Sequence, residues 1–374
     1  MNKLKLMTIV GTRPEIIRLS EIIKLADNLF DHILVHTGQN WDYTLNEIFF
    51  QDLNLRQPNF YLNAAKDCLG DTLGEIISQS YNILLKEKPD ALLILGDTNS
   101  ALCAICAKRL KIPVFHMEAG NRCFDQNLPE EINRRLIDHI SDVNLPYTEH
   151  ARRNLIFEGL KAEFTFVTGS PLTEVINSNI AKINSSNILS TLSLSKDNYF
   201  VLSMHREENI SNTSNFENLI KSANLISETY DLPIIFSTHP RTAKKLKETN
   251  YTLHPNISTV PPLSFTDYVH LQQNAFCTLS DSGTLAEESS LLHFPAISLR
   301  TSSERPESLD KGSMIIGGIS PESIINSINI IKSTYYSSPN DPPFDYQDSS
   351  ISTKIVSLIQ SYTPIVNSKI WNKH

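Results

Sequence analysis

Short apolar runs alternate with longer amphipathic stretches along most of the chain, and that alternation restricts the fold more than any other feature. "KLMTIVG" (residues 5–11) reads as a core strand, and "RPEIIRLSEIIKLADNL" (13–29) repeats its apolar residues at helical spacing. The same rhythm continues through the strands "HILVHTGQN", "ALLILGD", "IPVFHMEAG" and "DVNLPYT". Between and after them the helical stretches are "DTLGEIISQSYNILLKEKP", "TNSALCAICAKRLK", "EEINRRLIDHIS" and "EHARRNLIFEGL". Strands that alternate with helices imply a parallel sheet covered on both faces. After residue 198 a second alternation begins, with strands "YFVLSMHREEN", "PIIFSTHPRT", "FCTLSDSG" and "FPAISLR" separated by helices.

A chain of 374 residues is too long for one comfortable core. The expected architecture is α/β, with an N-terminal domain over 1–170 and a C-terminal domain over 171–350. A final helix from about 351 to 374 packs back on the first domain. Gly169 to about Asn198, rich in Asn and Ser, reads as the connector. Ligands of open α/β sheets bind beyond the carboxyl ends of the strands, and two such domains place the ligand in the cleft between them.

Bulk properties exclude several functions. The net charge of −8 argues against a nucleic-acid binder. No apolar stretch approaches the length of a membrane span, and the N-terminal run breaks at Gly11-Thr12-Arg13-Pro14 as a first strand does, not a signal peptide. Five scattered cysteines fit reduced thiols in the cytoplasm, and Cys103 and Cys106 read as helix packing. No metal constellation is evident in the sequence.

The chemistry gathers at the strand exits. "PVFHMEAGNRCFDQNLPEEINRRLIDH" begins as a buried strand and then adds His116, Glu118, Glu130, Glu131, Arg134 and Arg135. Other exits carry Arg13, Asp97, His205, His239 and Ser282-Gly283-Thr284. Ser282, Gly283 and Thr284 can offer amides and hydroxyls to a phosphate at a helix start. Glu287 or Glu288 can accept hydrogen bonds from a ribose, and Arg13 suits a phosphate. Asp97, Glu118 and Glu130 or Glu131 can serve as general acid and base. His205 and His239 can donate to a phosphate. Capping explains any one of these exits; six in one chain ask for a site.

"GTRPEIIR", "HTGQN", "GDTNS", "HMEAGNR", "PEEINRR", "VTGSPLTE", "MHREEN", "STHPR", "SDSGTLAEES" and "RTSSERPE" together resemble the UDP-N-acetylglucosamine 2-epimerase family, in the same order and across nearly the whole chain. The resemblance implies a GT-B-like fold of two Rossmann-like domains, a UDP-sugar substrate, no cofactor and a homodimer. It implies C2 inversion through UDP elimination and re-addition, with a glycal-type intermediate kept from water. Asp97, Glu118 and Glu130 then form the acid/base group. His205 assists diphosphate departure. Arg13, Ser282, Gly283 and Thr284 hold UDP, Glu288 meets the ribose, and His239 lies near the sugar or diphosphate.

Departures matter as much as matches. Arg18 stands where many members have Lys, so it is expected among the substrate- and UDP-binding residues as an electrostatic group only. Thr284 and Ala286 replace Gly and Gln of "DSGGxQEE". Gln39-Asn40-Trp41-Asp42-Tyr43 replaces the Gln-His pair of an activating UDP-sugar site. The set "GTRPEIIR", "GQNWDY", "MHREEN" and "DSGTLAEES" is most similar to the branch that makes UDP-N-acetyl-L-fucosamine from UDP-2-acetamido-2,6-dideoxy-L-talose for capsule or O-antigen. Alternatives are the UDP-GlcNAc/UDP-ManNAc epimerase, hydrolysing or not, a GT-B glycosyltransferase and a non-catalytic UDP-sugar sensor.

Overall fold

The computed structural model describes residues 3–39, 43–249, 251–335 and 341–373. Asn40, Trp41 and Asp42 of the "GQNWDY" motif lie outside the described residues. The chain forms two compact units, Met1–Ser178 with Asp345–His374, and Asn179–Phe344.

Unit 1 holds six parallel strands: β1 (Lys5–Val10), β2 (Asp31–His36), β3 (Phe60–Tyr61), β4 (Ala91–Leu95), β5 (Val114–Met117) and β6 (Val143–Leu145). Their order is β3-β2-β1-β4-β5-β6. Unit 2 repeats the plan with β7 (Phe200–Met204), β8 (Ile234–Thr238), β9 (Ile257–Val260), β10 (Cys277–Ser280), β11 (Ala296–Ser298) and β12 (Ile315–Ile316), ordered β12-β11-β10-β7-β8-β9. Both sheets are therefore doubly wound, and the winding reverses between β1 and β4 and between β7 and β10. All five residues of β4 are buried, because a central parallel strand has helices on both faces and no polar side.

The outer strands β3, β9 and β12 are short or partly exposed, and the sequence pattern did not mark them. The expected helix at 98–111 starts as a 3₁₀ turn, Asn99–Leu102, before the α-helix Cys103–Arg109. Cys103 and Cys106 are buried on that helix as free thiols.

The supposed connector needs correction. It contains the helix Pro171–Asn184 and a short one at Ile188–Thr191. Leu172, Val175, Ile176 and Ile183 are buried at helical spacing, while many of the intervening Asn and Ser residues face outward. Their polarity hid a short apolar stripe. Glu174 of that helix accepts hydrogen bonds from Ser352 N (2.7 Å) and Ser352 Oγ (2.6 Å), at the start of the C-terminal helix Ile351–Lys369. A carboxylate there satisfies an orphan N–H and complements the helix dipole. The C-terminal helix packs against the helix Arg13–Leu29. No helix among the described residues is long and apolar enough to cross a membrane.

Ile351, Ile355 and Ile359 form the buried stripe of the C-terminal helix. Ile355→Ala should lower the urea-unfolding free energy of unit 1 by about 2–5 kcal/mol, the usual cost of a buried Ile-to-Ala cavity. A change below about 1 kcal/mol would mean that the stripe does not pack in solution as described.

Candidate active site

In unit 1, Gly11 and Thr12 turn β1 into the helix Arg13–Leu29, and Glu15 folds back over that turn. Its carboxylate accepts from Gly11 N, Thr12 N (3.0 Å), Ser100 Oγ (2.7 Å) and Thr98 Oγ1. Thr98 and Ser100 follow β4, so one carboxylate ties the exits of the two central strands together. Burial outweighs the four donors and pushes the Glu15 carboxyl up to about 6. Arg13, half-buried beside this turn, lays its guanidinium over the Phe49 ring at 5.6 Å.

Asp97 stands at the exit of β4. Arg134, from the helix Pro129–Ile140, reaches its Oδ2 with Nη2 at 2.6 Å and Nε at 2.9 Å. The Nη1 of Arg134 lies 3.2 Å from Glu131 Oε2. Glu131 is fully buried and also accepts from Cys123 N (3.1 Å) and Arg135 Nε (3.2 Å). Glu130, its neighbour in the same turn, is half-buried. The two glutamates that the sequence left interchangeable are thus unlike: Glu131 is locked among donors, and Glu130 keeps access to solvent.

Glu118 leaves β5 in the left-handed region, with φ +64°. That costs a residue with a Cβ about 1 kcal/mol or more, and such strain clusters at working sites. Its Oε2 is ion-paired with Arg18, and its Oε1 accepts from Asn121 Nδ2 at 3.2 Å. Arg18 is itself buried, with its guanidinium 5.8 Å from the Tyr147 ring centroid. A Cβ placed on Gly96 would sit 3.6 Å from Glu118 Oε2, so this carboxylate rests beside the peptide that leads into Asp97.

In unit 2, the buried Asp281 at the exit of β10 organises the exit of β7. It accepts from His205 N (3.0 Å), Arg206 N (3.0 Å) and Asn209 Nδ2 (3.0 Å), and its Oδ1 lies 3.3 Å from His205 Nδ1. The rings of His205 and His239 lie near each other, 6.3 Å between centroids. His239 Nδ1 caps the helix Pro240–Glu248 by accepting from Arg241 N at 3.2 Å. Ser282 Oγ and Thr284 Oγ1 are 2.9 Å apart in the loop before the helix Leu285–Leu292. A side chain on Gly283 would meet Glu304 Oε1 at 2.6 Å, which explains the glycine. Glu304 bridges Arg300 (2.6 Å) and Arg206 (3.3 Å), leaving this loop beside two guanidiniums and one carboxylate. Glu287 is fully buried against Arg305 (3.1 Å), whereas Glu288, also buried, accepts from Gln272 Nε2 at 2.9 Å.

In unit 1 the structure brings Arg18 to Glu118 beside the peptide leading into Asp97, and in unit 2 it brings His205 near His239 and Ser282 to Thr284 across Gly283. Arg13 lies over Phe49, Glu130 at the start of the helix Pro129–Ile140, and Glu288 is buried on Gln272. The sequence reading assigned no role to Glu15, Arg134, Asp281 or Arg206. Glu15 carried a signal, a Glu three residues after Thr12 as in a capping box. Arg134 carried one too, sharing a helix face with Glu130.

Comparison with known proteins matches residues 24–360 to the family model for UDP-N-acetylglucosamine 2-epimerase. The chain belongs to the UDP-N-acetylglucosamine 2-epimerase family. A solved UDP-N-acetylglucosamine 2-epimerase from Rickettsia bellii is 46% identical over the whole of both chains, with a TM-score of 0.91. The Methanocaldococcus jannaschii UDP-GlcNAc 2-epimerase, solved in complex with UDP-GlcNAc and UDP, is 36% identical over 96% of this chain and 99% of its own, with a TM-score of 0.90. A curated UDP-N-acetylglucosamine 2-epimerase from the same organism is 40% identical over 338 residues, 88% of this chain and 92% of its own length. With the family comes the class: the chain is an epimerase, and its two doubly wound units are GT-B-like. The matched span includes every candidate residue except Arg13 and Arg18.

Glu15 supplies a test of the clamp. Its folded value near 6 lies above the ordinary 4.5, so folding takes up a proton between those values. The stability it contributes is complete below pH 4.5 and is lost as pH rises through about 6, an effect of about 2 kcal/mol at 1.36 kcal/mol per unit. Glu15→Gln removes this titration. The stability difference between wild type and variant, measured by urea unfolding from pH 4 to 7, should shift against the wild type by about that amount. A flat difference would show that Glu15 does not titrate there.

Proposed function

We propose that this enzyme inverts C2 of a UDP-2-acetamido sugar by eliminating UDP and adding it back. A carboxylate of unit 1 takes the C2 proton. The C–H electron pair becomes the C1=C2 bond, and the C1–O bond breaks with its pair leaving on the diphosphate. A proton then returns to C2 on the opposite face, and the UDP oxygen re-attacks C1. Nothing is oxidised or reduced overall, so the steps need proton-transfer groups, a stabilised leaving group and exclusion of water.

Asp97, Glu118 and Glu130 are assigned to proton transfer, and Arg18 to holding Glu118. His205 assists diphosphate departure, with His239 beside it. Arg13, Ser282, Gly283 and Thr284 hold the diphosphate, and Glu288 the ribose. The observation that carries this reading is the crowding of Asp97 and Glu118 at adjacent exits, each held by its own buried arginine. A transferase needs one base and an open acceptor site, and a sensor needs neither carboxylate.

The sugar assigned first is UDP-GlcNAc, interconverted with UDP-ManNAc, on the names borne by relatives at 46% and 40% identity. A second reading, UDP-2-acetamido-2,6-dideoxy-L-talose to UDP-N-acetyl-L-fucosamine for capsule or O-antigen, rests on the motif set that includes Arg18. We also assign the enzyme to the cytoplasm and to a homodimer. The dimer is supported by exposed Leu69, Tyr81 and Leu85 on the helix Leu69–Glu87, with Ile132 and Leu136 exposed on Pro129–Ile140. Light scattering on the purified chain should give the mass of two copies.

Proton NMR in D₂O tests the reaction with each UDP-sugar in parallel. Deuterium should enter C2 as the epimer accumulates, with little free UDP. Exchange confined to the L-talo sugar would reverse the order of the two substrates, and steady release of free sugar with UDP would make the enzyme hydrolytic. Glu118→Gln should lower turnover by about a hundredfold or more, in line with the worth of a general acid or base, and leave UDP affinity unchanged.

A further inference from the structure

The helix Pro129–Ile140 has a buried face that is ionic where such faces are normally apolar. Its buried residues are Glu131, Arg134, Ile137 and Asp138, only one of them apolar. Glu130, Arg134 and Asp138 follow one another at four-residue steps, one turn apart along the helix.

Asp138 is fully buried. Its Oδ1 lies 3.0 Å from His116 Nδ1, and its Oδ2 lies 2.7 Å from Arg122 Nη1 and 3.1 Å from Gly120 N. His116 Nε2 in turn lies 2.8 Å from the Gly96 carbonyl. Asp138 thus holds the chain two residues after Glu118 through Gly120 N and lies beside His116, whose Nε2 donates to the carbonyl of the peptide before Asp97. One turn earlier, Arg134 holds the carboxylate of Asp97 itself.

We propose that this helix is the positioning element of the proton-transfer site: Arg134 sets the carboxylate of Asp97, and Asp138 sets the backbone that carries Glu118. The inference rests on the reading of Asp97, Glu118 and Glu130 as the proton-transfer group. Two physical arguments favour it. Buried ion pairs add little stability over apolar residues of equal volume, because desolvation offsets their attraction, so stability alone does not account for an ionic helix face. The left-handed backbone of Glu118 also persists only where its surroundings over-determine it. Asp138 does so from the Gly120 side, and on the other side His116 is fixed by the Gly96 carbonyl. Gly120, at φ +83°, closes the loop against Ala151, whose carbonyl oxygen would lie 2.3 Å from any Cβ there. Because Glu130 rides on the same helix, one rigid element relates all three carboxylates.

The test compares full-length Asp138→Asn and Arg134→Lys with wild type. Proton NMR in D₂O measures the share of turnovers that end as free UDP and 2-acetamidoglycal instead of epimer, and calorimetry measures UDP affinity. Misplacement of a reprotonating group by about 1 Å should lower kcat by about a hundredfold and raise the released share on the order of tenfold. UDP affinity should be unchanged. A merely structural role lowers the folded fraction and hence kcat, but leaves the share per turnover as it was. Unchanged shares in both variants overturn the inference. If Asp138→Asn does not fold, Arg134→Lys decides alone, since it keeps the charge and loses only the forked geometry. A wild-type enzyme that exchanges no deuterium sinks the reaction itself, and the inference with it.

Discussion

Every strand of a parallel sheet leaves the core at the same edge, and the site chemistry of both units depends on that constraint. Six exits share one edge in each sheet, and the winding reverses between β1 and β4 and between β7 and β10. At a reversal the two connecting segments diverge to opposite faces and leave a crevice. The residues with the most chemical capacity gather there: Glu15 and Asp97 in unit 1, His205 and Asp281 in unit 2. Glu15 spans the reversal in unit 1, joining the β1 turn to Thr98 and Ser100 after β4. Asp281 does the same work in unit 2, reaching from β10 to the backbone after β7.

Such clamps are costly when incomplete. A buried carboxylate that loses its donors carries a desolvation penalty of several kcal/mol, and breaking a buried pair typically costs about 3–5 kcal/mol. Asp138, Glu131, Glu15 and Asp281 each have three or more donor groups close by. Arg122 illustrates the balance. Burial works against its charge, yet Glu158 and Asp138 hold it above the ordinary arginine value. These donors hold the loops that follow the strands in one geometry.

The units differ in the charge they present. In unit 1 the candidate carboxylates face fixed guanidiniums, Arg18 on Glu118 and Arg134 on Asp97. In unit 2 the loop Ser282–Thr284 lies beside Arg206, with Glu304 bridging Arg206 and Arg300 and the buried Asp281 at the start of the loop. Arginine suits both tasks because its planar fork holds a carboxylate in one orientation and does not lose its proton.

The sequence by itself determined the two α/β alternations, the helix Arg13–Leu29 to the residue, and the motifs that mark the family. Apolar periodicity and turn chemistry are local, so they survive in one dimension. Local polarity also misled: the Asn- and Ser-rich stretch after Pro171 hid a helix whose buried face is only four apolar residues wide. Only the tertiary structure decided that β1 neighbours β4 and β7 neighbours β10, that Glu131 is sealed while Glu130 is half-exposed, and that Glu118 sits in the left-handed region between His116 and Gly120. These follow from contacts between residues far apart in the chain, such as Arg18 with Glu118 and Arg134 with Asp97. Desolvation and ion pairing depend on which groups meet in space, and no local pattern records that.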